Sequence, residues 1–300
     1  MADEEYNRFD LPYPPEYISL SGADDSVDPG ELIKITNQYN AQFGILVSPS
    51  KRGVARYPSL SWIMNYGEAV LLNNDRLREQ MTEGGEPTLM RSRPSIHVCG
   101  DYIDMMREDG YFGLEYLVDY GYGRFQFNLA GTEFDKDFRK KIREWVDNYN
   151  VEAIIQVDEF PNDDEFTYLL DRSRGKGIHS EDWPSSSFRL QSTLPGDFYL
   201  IRRDWVPGFA GGISEHNILK TCFKLTQESA LYFLDMESSL RGPGDKFDPE
   251  ACRRVCSKVF GHREEYFYEP EAENTGRGQV IEEVVDIEHR IDEYEEYEDE

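Results

Sequence analysis

Short runs of apolar, β-branched and aromatic residues recur along this chain, mostly separated by stretches whose apolar residues fall at helical spacing. That alternation is the mark of βα units and a parallel sheet. Eight strands are predicted, at 17–21, 43–48, 95–99, 124–129, 152–157, 167–171, 206–210 and 231–236. Helical patterns lie at about 29–40, 58–73, 113–120, 134–149, 215–228 and 248–260, with Ser214-Glu215 and Asp248-Pro249-Glu250 as N-terminal signals. The connection from Asp158 to Phe166 is too short for a full helix, and 184–205 is long and irregular, which reads as a lid or an embellishment. Eight strands are what a closed barrel needs, so the expected fold is α/β, a (β/α)8 TIM barrel. A doubly wound open sheet is the competing architecture, but it would leave the glycine-rich late turns without a shared mouth. No internal repeat is evident.

Composition fits one large core: 300 residues, 39% hydrophobic and 13% aromatic. The net charge of −27, from 59 acids against 32 Lys and Arg, argues against nucleic acid or an anionic membrane as a partner and favours cationic partners or plain solubility. A halophile's acidic surface would explain the same balance. The acids concentrate late: residues 264–300 hold 16 Asp or Glu against two Arg. The expected domains are therefore a barrel over 1–263 and an acidic, disordered or partly helical tail over 264–300. Such a tail solubilises, or docks a basic protein partner, with Tyr266, Phe267, Tyr268, Tyr294 and Tyr297 for apolar grip. No run of about 18 apolar residues is present, and the acidic start is unlike a basic signal peptide. A cytoplasmic location is expected. Cys99, Cys222, Cys252 and Cys256 lack paired C-x-x-C spacing, so neither a disulfide framework nor a metal site is expected, and nothing calls for a cofactor.

Chemistry-bearing residues cluster where the late strands end, the face on which such barrels carry their sites. Asp171 closes the sixth strand ahead of a Gly175-Lys176-Gly177 turn, Gly211-Gly212 follow the seventh, and Glu237-Ser238-Ser239 follow the eighth. Glycines let a backbone approach a phosphate, and a helix N-terminus adds positive potential. The same glycines serve equally to make tight βα turns.

The order of these residues resembles the phosphoribosylanthranilate isomerases. Leu169-Leu170-Asp171 with its glycine loop and Asp182-Trp183 is similar to that family's sixth strand. Gly211-Gly212-Ile213-Ser214-Glu215-His216-Asn217 is similar to the seventh, and Leu234-Asp235-Met236-Glu237-Ser238-Ser239 to the eighth. Pro49-Ser50-Lys51-Arg52 and Arg56-Tyr57-Pro58-Ser59 look like its basic loop after strand 2, and Asn128-Leu129-Ala130-Gly131-Thr132-Glu133 like the end of strand 4. The resemblance is colinear over about 17–260. It implies an Amadori rearrangement of an aminoaldose phosphate to an aminoketose, with a general acid at the ring oxygen and a general base at C2. Asp171 takes the acid's place. Ser21, in Leu20-Ser21-Gly22, stands where the family has its catalytic cysteine, and a serine without an adjacent base accepts protons weakly. Asp24, Asp25 and Cys99 are other candidates for the base, each also readable as loop capping or packing, and His97 shares a strand face with Cys99 as a core or supporting residue.

For substrate binding, the resemblance implies Arg56 or Arg52 for a carboxylate, and Gly211, Gly212, Ser238 and Ser239 for a phosphate. Glu237 replaces a serine there, which costs phosphate affinity unless the carboxylate points away or pairs with Arg241. The leading expectation is a barrel that binds a phosphorylated small molecule and isomerises it, an intramolecular oxidoreductase of the tryptophan-biosynthesis type. Two other readings stand beside it: another isomerase or lyase working with Asp171 and Glu237, and a non-catalytic scaffold acting through the tail. Asp235 alternates with Glu237, so both can face the interior, and with Asp171 they raise the question of a metal.

Overall fold

The computed structural model describes residues 6–82, 92–109, 113–129, 131–163, 165–173, 206–229 and 231–261. The glycine turn at 175–177, Asp182, Trp183, the 184–205 connection, Ala130 and the acidic segment lie outside these residues. Every predicted apolar run overlaps a strand: β1 (Ile18–Ser21), β2 (Ala41–Val47, two residues earlier than expected), β3 (Ser95–Val98), β4 (Arg124–Phe127), β5 (Glu152–Val157), β6 (Thr167–Leu170), β7 (Gly208–Ala210) and β8 (Phe233–Met236). They pair in parallel in chain order, and β1 closes on β8, Ile18 opposite Leu234, to complete the barrel.

Alternation along the strands separates two cores. Ile18, Leu20, Phe43, Ile45, Ile96, Val98, Phe125, Phe127, Leu170, Phe209 and Leu234 are buried in one large cluster that includes residues of the surrounding helices. A second, small apolar cluster of Tyr17, Ile154, Leu169, Ala210 and Phe233 forms from the intervening positions. The rings of Tyr17 and Phe233 stack at 4.8 Å. Gly208 admits this plug, because a Cβ there would overlap the Phe233 ring. At the N-terminal end of the strands, Arg124 bonds Glu152 at 3.0 Å and Gln42 at 2.5 Å and lies over the Tyr17 ring. The remaining interior positions are strongly polar, which places unusual chemistry between the plug and the mouth.

The helices are α1 (Pro29–Gln38), α2 (Leu60–Thr82), α3 (Asp101–Asp109), α4 (Tyr116–Asp119), α5 (Lys136–Tyr149), α6 (Ile218–Glu228) and α7 (Pro249–Phe260). Aspartates cap three of them: Asp28, Asp135 and Asp248 accept the first free backbone N–H groups of α1, α5 and α7, each worth about 1 kcal/mol. Pro29 and Pro249 sit at the first helical turn, where a missing N–H costs nothing.

Several elements depart from the sequence reading. α3 is not among the predicted helices; its apolar residues Tyr102, Ile103 and Met106 span barely one turn, too little for a period to show. The helix expected over 113–120 is only α4, while that expected over 58–73 runs on to Thr82. β7 starts two residues late because Pro207 has no N–H to give to the ladder; its carbonyl still accepts from Phe233 at 3.0 Å. Among the described residues, no helix is long and apolar enough to cross a membrane.

Candidate functional site

The C-terminal ends of β6, β7 and β8 enclose a cavity of about 330 Å³ lined by Asp171, Ser173, Gly211, Gly212, Ser214, Asp235, Glu237, Ser238 and Ser239. Six residues singled out from sequence thus meet at one mouth: Asp171, Gly211, Gly212, Glu237, Ser238 and Ser239. Gly211 and Gly212 hold φ of 108° and 61°, left-handed conformations that let the backbone turn tightly at the wall. Asn217 braces that turn by accepting from the Ser214 N–H at 2.7 Å and donating to the Gly212 carbonyl at 2.9 Å. Ser239 donates to the Ile213 carbonyl at 2.8 Å and so ties the β7 and β8 loops together.

Asp171 is buried at the end of β6. It accepts hydrogen bonds from Gln156 at 2.7 Å and from the N–H and hydroxyl of Ser173 at 3.0 and 2.6 Å. It also borders a second cavity of about 210 Å³, lined by Leu129, Gly131, Thr132, Phe134, Gln156, Val157 and Asp158.

The residue that sequence reasoning underweighted is Asp235. Burial raises its carboxyl from 3.8 to about 6; hydrogen bonds from Ser21, Ser19 and Gln126 oppose the rise, and the Asp171 charge adds to it. Ser21 donates to Asp235 at 2.6 Å. The serine therefore does have an adjacent carboxylate, contributed by the strand that closes the barrel. Beneath this pair runs a buried polar network: Gln126 contacts His97 Nδ1 at 3.2 Å and Asn128 at 3.0 Å, and His97 Nε2 contacts Ser95 at 3.0 Å. Burial pulls His97 down to about 4, so the ring is neutral at physiological pH and serves as a hydrogen-bonding strut. Gly44 makes room for it, because a Cβ there would overlap both the His97 ring and the Ser21 hydroxyl.

Cys99 borders the same network, with Asn128 donating to its sulfur at 3.3 Å. Burial pushes its thiol up to about 12, which disfavours the thiolate that a base would need. Asp24 is likewise committed. Burial alone would raise its carboxyl, yet Arg241 at 2.6 Å and Ser26 hold it below its ordinary value. Asp25 accepts from the N–H and hydroxyl of Ser59. Both aspartates hold loops together.

Arg56 lies at the mouth with φ of 77°, bonded to Glu237 at 2.9 Å and to Asp245 at 3.1 Å. The partner of Glu237 is thus Arg56, whereas Arg241 pairs with Asp24 and Asp245. Arg52 contacts the Tyr102 hydroxyl at 3.4 Å and lines neither cavity beside Asp171. Among the described residues, no three His, Cys, Asp or Glu side chains converge as a metal site would require, so Asp171, Asp235 and Glu237 form no such cluster.

No family model matches the chain, and no curated protein does. Among solved structures it is similar to phosphoribosyl anthranilate isomerase from Thermus thermophilus, at 13% identity over 81% of this chain and 98% of that one, with a TM-score of 0.46. It is similar to TrpF from Jonesia denitrificans at 14% identity over 82% and 97%, TM-score 0.45. A Rubisco-like protein from Rhodopseudomonas palustris gives 12% identity over 87% and 70%, TM-score 0.40. These are likenesses of chain path, and the chemistry of the mouth rests on its own residues.

Proposed function

We propose that the chain is an acid–base isomerase that rearranges a phosphorylated aminoaldose to an aminoketose at the C-terminal mouth of the barrel. The observation that carries this reading is the pair of carboxylates, buried Asp171 and partly buried Asp235, that line one 330 Å³ cavity. Two carboxylates in different environments are what paired proton donation and abstraction need. Asp171 gives a proton to the ring oxygen, and the C1–O bond opens to an iminium. Asp235 takes the proton from C2, directly or through Ser21, and C1 of the resulting enol is protonated as C2 becomes a ketone. No atom is gained or lost. A carboxyl at about 6 is ionised at neutral pH yet more basic than an ordinary aspartate, which suits the base. The backbone around Gly211-Gly212 and the hydroxyl of Ser238 provide a wall for the phosphate, and the Arg56 contact neutralises Glu237 beside it.

Two observations favour the opposite division of labour, with Asp235 as the acid: Asp171 already accepts three hydrogen bonds, an arrangement that suits a base, and it is the ionised form of Asp171 whose charge helps raise Asp235. The pH profile separates the two: kcat/KM rises through about pH 6 when Asp235 works ionised and falls through it when Asp235 works protonated. The test is turnover of phosphoribosylanthranilate generated in situ, followed by the loss of its fluorescence. Either Asp171→Asn or Asp235→Asn is expected to lower kcat by about 100-fold or more. Folded wild-type protein without turnover would exclude this substrate.

A further inference from the structure

Gln126 is buried on β4 within the barrel's polar network, and the chemistry above gives it no task. Its amide orientation follows from the groups around it. Cys99 donates its S–H to the His97 carbonyl at 3.4 Å, so its sulfur is left to accept, and the Asn128 amide turns its NH2 to that sulfur at 3.3 Å. The Asn128 oxygen therefore faces Gln126, which answers with an N–H at 3.0 Å. The same Gln126 nitrogen lies 3.2 Å from His97 Nδ1 and also donates to the Asp235 carboxylate. With an N–H facing it, Nδ1 of the neutral ring is the acceptor, and the ring proton sits on Nε2, toward Ser95 at 3.0 Å. An amide nitrogen carries only two hydrogens, so Asn128, His97 and Asp235 compete for them.

Charge settles the competition. A hydrogen bond to an ionised carboxylate is about twice as strong as one to a neutral acceptor. Ionised Asp235 takes one hydrogen, Asn128 keeps the other, and His97 Nδ1 is left short. When Asp235 holds its own proton, the amide hydrogen returns to His97. We propose that Gln126 is a positioning residue for Asp235: it shares two amide hydrogens among Asp235, Asn128 and His97, so that the Asp235 proton is coupled to the hydrogen bond at His97 Nδ1 and its affinity is set by that amide. This rests on the isomerase reading for its kinetic arm only. The other titratable or charged groups around Asp235 are Tyr17 on the chain entering β1, Asp171 at the end of β6, Glu237 after β8, His97 on β3 with Cys99 just past its end, and Arg124 on β4. Of these, His97 alone is bonded to Gln126 among the described residues. Burial keeps Tyr17 and Cys99 protonated and His97 neutral, so none of the three changes charge near neutral pH.

The test follows the protons themselves, in the full chain. With nitrogen-15 histidine labelling, the His97 signals are those missing from His97→Gln. Between about pH 5 and 8 the Nδ1 resonance is expected to move with a midpoint near 6 while Nε2 stays protonated, and to stay still in Asp235→Asn. Carbon-13 labelling of the aspartate carboxyls gives the Asp235 midpoint directly, its signal being the one lost in Asp235→Asn. In Gln126→Met, which keeps the length of the side chain without its N–H, that midpoint is expected to rise by about one pH unit, a tenfold gain in proton affinity, and Nδ1 to stop following it. Thermal melts report folding, and if Gln126→Met does not fold, the wild-type and Asp235→Asn spectra decide. A still Nδ1 in wild type, or an unmoved Asp235 midpoint in folded Gln126→Met, overturns the inference. In turnover of phosphoribosylanthranilate, the limb of the kcat/KM profile near pH 6 is expected to shift with the NMR midpoint while KM changes little. If the NMR midpoint moves but the limb does not, or there is no turnover, the coupling stands and the isomerase reading fails.

Discussion

Replacing Asp235 by Asn should stabilise the protein while abolishing its chemistry, and the stabilisation should depend on pH in a calculable way. In the folded chain, burial holds the Asp235 proton up to about pH 6, whereas the unfolded chain releases it near 3.8. Between those values the folded state binds more proton than the unfolded one, so this residue's contribution falls as pH rises. Below about 3.8 both states are protonated and nothing is lost; above about 6 the loss is complete. At about 1.4 kcal/mol per pH unit the gap amounts to at most about 3 kcal/mol. Asn keeps the shape and the acceptor for Ser21 but has no charge to bury. Urea denaturation of wild type and Asp235→Asn at intervals from pH 3.5 to 8, with the difference plotted against pH, isolates this group, because every other titration is common to both proteins. The variant should gain on wild type by about 2–3 kcal/mol between the acid and neutral plateaus. A difference that stays flat across the range would refute the claim that the Asp235 charge is buried at a cost, and with it the main physical reason for calling it functional.

Three further perturbations follow from the same geometry. Gly44→Ala would thrust a methyl into the space shared by His97 and Ser21, both held by other bonds, and should cost about 1–3 kcal/mol in urea unfolding; a neutral result would mean that the polar network has slack. Arg241→Met should cost about 3–5 kcal/mol, since it strands the buried Asp24 carboxylate, and adding Asp24→Asn to it should recover part of the loss in a double-mutant cycle. Glu237→Gln removes a half-exposed pair with Arg56 and should change stability by about 1 kcal/mol or less. The same change should lower KM for a phosphorylated substrate several-fold, and an unchanged KM would argue that the phosphate does not sit beside Glu237.

The barrel was legible because its outward positions repeat. Phe125 and Phe127, or Ile96 and Val98, face the large core, and their alternation survives in the sequence as a strand signal. The site was legible where a residue type is forced by backbone geometry, as with Gly211 and Gly212, or by position at a strand end, as with Asp171. Asp235 was harder. Its meaning depends on Ser21, 214 positions away in sequence and adjacent only once β8 closes on β1. Arg124, Gln126 and Asn128 did carry a readable signal, since polar residues at every second position of a buried strand imply a polar interior. The pairing of Arg56 with Glu237, and not Arg241 with Glu237, is a choice among surface loops that no local pattern encodes.

The short β7 has a consequence for how the mouth breathes. It shares only two residue pairs with β6, against three across the β8–β1 seam and four between β1 and β2. A closed sheet yields first where its rungs are fewest. Asp171 follows one edge of that seam and Gly211 the other, so a local opening there changes the span between the carboxylate and the glycine wall while Ser21 and Asp235 stay locked across the β8–β1 seam. Affinity for a ligand bridging the two edges then tracks the elasticity of three residues rather than the stability of the whole barrel, and on warming it fades well before the fold melts.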